Sequence, residues 1–179
     1  MFNQKQKKEL LSLAKKSIET RFTKEPLIFP NDSAFNITTG VFVTLHKFNS
    51  LRGCIGYIKG YKDLVPSICE MAQAAAFRDP RFPAVRSEEM DNIRIEISIL
   101  SELILVKDYN DIVIGRDGLM INHPHGSGLL LPQVPVEWNW DLPTFLEEVC
   151  CKAGLPQQSW KDDSAQLYRF SAEIFSEDS

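Results

Sequence analysis

The sequence has no run of apolar residues long enough to span a bilayer, which takes about 20 in succession. Its first residues are polar and lysine-rich, with Glu9 among them and no apolar stretch, so they do not read as a secretory signal. Cysteine is sparse: four residues, at 54, 69, 150 and 151, with no C-x-x-C spacing. All four fall in segments that read as strand or helix, the pattern of reduced thiols in a cytoplasmic protein and not of a disulfide scaffold. No glycine-rich phosphate loop and no metal-ligand signature is present. That works against nucleotide-driven and metal-driven chemistry, and it names no cofactor and no metal. Excess positive charge is missing too. The formal net charge of -4 argues against a general binder of nucleic acid or anionic membrane. There is no internal repeat and no low-complexity tract.

What is present is ordinary globular material: 179 residues, 44% hydrophobic and 25% charged. This suits one domain or two intimately packed lobes with a core that needs no staples. Residues 4–20 read as an amphipathic helix with Leu11, Ala14 and Ile18 on one stripe and a solvated basic face. Residues 23–40, with Pro26, Pro30 and Asn31-Asp32-Ser33, read as a long loop. Val41, Val43 and Leu45 alternate with Phe42, Thr44 and His46 in a strand over 41–47. A turn at Phe48-Asn49-Ser50 leads into LRGCIGY (51–57), so 41–57 reads as a hairpin.

Residues 63–77 read as a helix rich in small residues, with Cys69 in the core, followed by the loop RDPRFPAVR (78–86). Ile93, Ile95, Ile97 and Ile99 mark the clearest strand, and 102–106 continue it or form another. Gly115–Gly118 reads as a turn between two short strands, and a second turn falls at 123–128. A helix over 143–152 has Asp141 or Thr144 as its cap and Gly154 as its stop. A final strand alternates Tyr168, Phe170, Ala172 and Ile174 with polar residues. Hairpins with interspersed helices predict an α+β fold with a mostly antiparallel sheet and flanking helices.

The hairpin carries the chemistry. Setting Lys47 opposite Leu51 pairs His46 with Arg52, Thr44 with Cys54 and Val43 with Ile55, and gathers the apolar residues on one face. The other face then carries Thr44, His46, Arg52 and Cys54, with His46 diagonal to the thiol at roughly 7–8 Å. In this arrangement Arg52 favours the thiolate of Cys54 and His46 serves as its base. Gly56 leaves room for a ligand, and Gly53 permits close backbone approach. The bland alternative is that the glycines serve packing and that Cys54 is a small hydrophobe.

Other candidates are weaker. Asp79 and Arg81 read as a loop clamp rather than as an anion-binding corner with Arg78 and Arg86. His123-Pro124-His125 reads as a solvated hairpin tip rather than a metal site. Trp138 and Trp140 read as packing against the following helix, and Cys150 and Cys151 as core or boundary thiols.

FVTLHKFNSLRGCIGY (42–57), AAAFRDPRFPAV (74–85), IRIEISIL (93–100), IGRDGL (114–119), GLLLPQVPVEWNWD (128–141) and CKAGLP (151–156) occur in order over most of the chain. Together they resemble the motifs of the AMMECR-type domain family, whose members include protein A of the AmmeMemoRadiSam system. The resemblance covers about residues 40–175, with 1–39 matching loosely, so 1–179 is expected to be a single such domain. It implies an α+β fold of two closely packed lobes with a strongly curved antiparallel sheet. It also implies association with a Memo-like protein and a radical SAM protein, and it supplies no settled activity. Where the bacterial pattern has a glycine between the two tryptophans, this chain has Asn139, a residue that also tolerates positive φ. Two functions follow: a non-catalytic adaptor, or an enzyme or covalent carrier built on Cys54 with His46 and Arg52.

Overall fold

The structure, a computed structural model, describes residues 1–177. It divides into two compact units: residues 1–100 with the C-terminal stretch from Glu173, and residues 101–172. The α+β class with antiparallel pairing holds, and the strands are divided between two four-stranded sheets. No helix among the described residues is long and apolar enough to cross a membrane.

The first unit begins with α1 (Gln4–Glu19), closed at its start by a capping box between Asn3 and Gln6. Leu10, Leu11, Leu13, Ala14 and Ile18 form its buried face. Strands β1 (Val41–Lys47) and β2 (Ser50–Tyr57) make the hairpin, followed by α2 (Leu64–Phe77) and β3 (Ile93–Leu100). With β8 (Ala172–Ser176) they give the sheet order β2-β1-β3-β8. Val41, Val43, Leu45 and Ile93, Ile95, Ile97 are fully buried on the face that meets the helices. At about 1.5–3 kcal/mol for each such side chain, this alternation fixes which face turns inward. The small residues of α2 serve close approach: a Cβ on Gly53 would collide with the Ala75 carbonyl.

The hairpin departs from the expected register near its tip. Thr44 faces Cys54 and Val43 faces Ile55, as the pattern predicts, but His46 faces Leu51 and Lys47 faces Ser50. The pairing of Lys47 with Leu51 and of His46 with Arg52 is therefore incorrect. The turn has two central residues, Phe48 and Asn49, both left-handed at φ 49° and 62°. Such a turn matches strand twist, and it favours Asn-Gly. A β-bulge between Leu45 and His46 then inserts Arg52 as an extra residue. Arg52 is thereby left without a partner residue across the ladder, and its guanidinium is taken by Glu89, the carboxylate that also holds Lys47.

The second unit holds β4 (Ile104–Leu105), β5 (Gly118–His123), β6 (Gly126–Leu130), α3 (Gln133–Glu137), α4 (Leu142–Lys152) and β7 (Gln166–Phe170). Its sheet order is β4-β7-β5-β6, over a core that includes Leu119, Ile121, Phe145, Val149 and Cys150. Asp141, not Thr144, caps α4, accepting from the Thr144 N–H at 2.9 Å. Gly154 ends it in a Schellman arrangement, with φ 72° and bonds from Gly154 N to Cys151 O and from Leu155 N to Cys150 O.

Three expectations in this half fail. No strand runs directly into the 115–118 turn: β4 ends at Leu105, and among the described residues the segment after it holds only a short 3-10 turn at Tyr109–Asp111. The final strand is two strands, β7 and β8, in different sheets, broken at Ser171. Trp138 is exposed rather than packed, whereas Trp140 lies against the core as predicted. Asn139 takes the positive φ foreseen for it, 53°.

Candidate functional site

Cys54 sits on β2, an edge strand. Its outward backbone groups are met by the loop that leaves α2. Asp79 Oδ2 accepts the Cys54 N–H at 2.9 Å, and Arg81 Nη2 donates to the Cys54 carbonyl at 3.3 Å. Asp79 also accepts from the Arg81 backbone N–H at 3.1 Å, from Nε at 3.0 Å and from Nη2 at 2.8 Å. The predicted clamp is thus real, and it reaches further than the loop, substituting for a neighbouring strand. Because the main chain of Cys54 turns outward, Thr44 and Cys54 form the closer, non-hydrogen-bonded kind of antiparallel pair. Thr44 Oγ1 lies 3.2 Å from Cys54 Sγ.

The thiol is half-buried. Burial pushes its pKa up, the Thr44 hydroxyl and Arg81 pull part of the way back, and the carboxylates of Asp79 and Glu96 push up again. Arg81 contributes little free charge, since Asp79 beside it is buried and held ionised far below the usual carboxylate range by that guanidinium. His46 shares the face of Thr44, between Leu51 and Arg94, but makes no hydrogen bond to the thiol among the described residues. The space next to Gly56 is filled by the Phe42 ring, which a Cβ there would strike.

Arg52 belongs to a second cluster, centred on Glu89. Glu89 Oε1 accepts from Lys47 Nζ at 2.8 Å and Arg52 Nε at 3.2 Å, and Oε2 from Arg52 Nη2 at 3.1 Å and the Arg86 N–H at 3.0 Å. Arg52 holds the Glu89 carboxyl at about 2; burial opposes this, while Lys47 and the Arg86 N–H assist. Arg81 is spent on Asp79 and the Cys54 carbonyl rather than held free for the anion-binding corner considered with Arg78 and Arg86.

Sequence reasoning missed Glu89, and with it the reason Arg52 is tolerated near the core. Nothing in SEEMDN marks it, because its partners lie 37 and 42 residues away. It also missed Asp117, read only as part of a turn. Asp117 is buried, accepts from the Val113 N–H and from Arg116, and repeats the logic of Asp79 in the second unit.

The histidine pair sits at a hairpin tip, but the expectation of a solvated turn fails for His123, whose side chain is only 7% exposed and whose Nε2 lies 3.4 Å from Asp162 Oδ2. His123 Nδ1 accepts from the His125 N–H at 3.2 Å, so in the neutral ring Nε2 carries the hydrogen. Nε2 lies 3.1 Å from Ser164 Oγ and therefore donates to it rather than activating it. No group of three or more metal-ligating side chains occurs among the described residues. Two clefts of about 360 and 290 Å³ flank α1, lined by residues such as Lys8, Lys15 and Glu177, and Leu13, Ile28 and Phe29; Cys54 lines neither.

The AMMECR1 family model matches residues 11–175. The chain belongs to the AMMECR1 family. Protein PYRAB00100 of Pyrococcus abyssi is 43% identical over 94% of this chain and 89% of its own length. Protein MJ0810 of Methanocaldococcus jannaschii is 47% identical over 86% of this chain and 81% of its own. The crystal structure of the uncharacterized protein PH0010 from Pyrococcus horikoshii shares the fold, with a TM-score of 0.86 and 42% identity over 94% of this chain and 89% of that one. In this AMMECR1-family chain the LRGCIG hexapeptide is thus a bulged, clamped edge strand. Its arginine and its cysteine serve different clusters, one at Glu89 and one at Thr44, Asp79 and Arg81.

Proposed function

We propose that this AMMECR1-family protein is a non-catalytic adaptor or accessory factor acting with a Memo-like protein and a radical SAM protein in the cytoplasm. The observation that carries this reading is the setting of Cys54. Its pKa is raised by burial, its main chain is clamped by Asp79 and Arg81, and Arg52 is committed to Glu89. A nucleophilic cysteine needs the opposite: a lowered pKa and a base within hydrogen-bond reach. Thr44, Gly53, Gly56, Asp79 and Arg81 then act as the framework of a rigid hairpin. The partners are those implied by the motif resemblance, and the four unpaired thiols support the compartment.

One observation favours the alternative, a cysteine-dependent enzyme or carrier with Cys54 assisted by His46 and Arg52. The Thr44 hydroxyl and Arg81 both favour the thiolate. Calorimetric titration of the purified chain with the Memo-like and radical SAM proteins of its own genome separates the two. The adaptor reading expects saturable binding to at least one, unchanged in Cys54→Ala. Binding to neither, or a turnover that Cys54→Ala abolishes, contradicts it.

A further inference from the structure

The tip of the first hairpin breaks a local rule that burial does not offset. A two-residue turn with both central residues left-handed favours Asn-Gly. Here it is Phe48-Asn49, with φ 49° and 62°. A bulky side chain at positive φ is a true outlier, and such strain collects where function requires it. Phe48 recovers nothing by burial, since its side chain is 74% exposed. Leu51, two residues past the turn, is exposed as well, at 41%. The ammonium of Lys47 lies 5.9 Å from the centre of the Phe48 ring. Lys47 and Arg52 share the one carboxylate of Glu89, so two cations meet a single carboxylate at the base of the tip.

We infer that Phe48 is a docking knob: its ring enters an apolar pocket on a partner protein, and a carboxylate at the rim of that pocket meets Lys47. The inference rests on the adaptor reading and names the surface that reading needs. A pocket fits the tip better than a bilayer does. Asn49 and Ser50 stand exposed between the two apolar side chains, so the tip offers one ring and one aliphatic neighbour rather than a continuous apolar band. Membrane anchoring takes more than one such signal.

The test places a photoreactive benzoylphenylalanine at position 48 of the full chain and, as a control, at position 61, where Tyr61 is 79% exposed. Cross-linked proteins are identified, and the partner is purified for measurement of its affinity. Position 48 is expected to trap one protein that position 61 does not. Phe48→Ala and Phe48→Asn/Asn49→Gly should each weaken its binding by about tenfold or more, the loss expected of a buried aromatic anchor. The double variant should meanwhile melt about 3 °C higher, because the turn strain is gone. Unchanged affinity, or a lowered melting temperature in the double variant, overturns the knob. Cross-linking from 61 alone overturns the knob and leaves an adaptor. Cross-linking from neither overturns both. Trapping only a second copy of this chain, or tip-dependent binding to phosphatidylserine vesicles, overturns the partner-protein assignment.

Discussion

Glu89→Gln removes the carboxylate that holds Lys47, Arg52 and the Arg86 backbone together. The Glu89 and Arg52 side chains are only 10% and 11% exposed, so solvent does little to replace what is lost. Two estimates converge. Glu89 titrates at about 2 against an ordinary 4.5, and at about 1.4 kcal/mol per unit this is on the order of 3 kcal/mol. Breaking a buried pair by removing one partner costs about 3–5 kcal/mol, the lower end applying where glutamine keeps an acceptor. We therefore expect the first unit to lose about 3 kcal/mol near neutral pH. Hydrogen exchange at the Val43 and Ile97 amides, in the middle of β1 and β3, reads this unit directly. The sign with pH follows from the lowered value. The contribution is complete above about 4.5 and fades as pH falls toward about 2, so wild type and variant should converge on acidification. A loss below about 1 kcal/mol, or a gap that stays constant through that window, refutes the ion-pair account.

Asp79→Asn should speed exchange of the Cys54 amide and also make the thiol easier to alkylate, because it removes a charge that disfavours the thiolate and frees Arg81; peptide-resolved labelling checks both. Gly154→Ala should cost about 1 kcal/mol, since φ is 72° and nothing lies within 4 Å of the new Cβ. Gly53→Ala should cost considerably more in the same denaturation assay, since its Cβ meets the Ala75 carbonyl on a helix that cannot yield.

The strongest patterns were legible in the sequence. Ile93, Ile95 and Ile97 alternate because one face is buried, and that same alternation correctly set Thr44 against Cys54. The bulge was not legible. Phe48-Asn49 does not look like a two-residue turn, so a three-residue turn was the natural reading, and it closed the register without an extra residue. The break at Ser171 was hidden in the same way. Phe170 and Ile174 keep even spacing, yet β8 buries Phe175 instead of Ile174, and β7 already buries both Leu167 and Phe170. At the site, the Asp79–Arg81 clamp was readable because its partners are two residues apart. Its bond to Cys54 and the role of Glu89 depend on contacts 25 to 42 residues distant, which no local pattern encodes.

The Cys54 thiol separates an adaptor from an enzyme most directly. Native-state alkylation across a pH series, with each cysteine mapped by peptide mass, measures it directly. Cys151 is exposed and should label first. Cys69, pushed up to about 12 by burial, should label only on unfolding. Cys54 should remain slow below about pH 9, because burial disfavours its anion. Rapid labelling of Cys54 below about pH 8, ahead of the exposed Cys151 and slowed by His46→Ala, would show an activated nucleophile and contradict the adaptor reading.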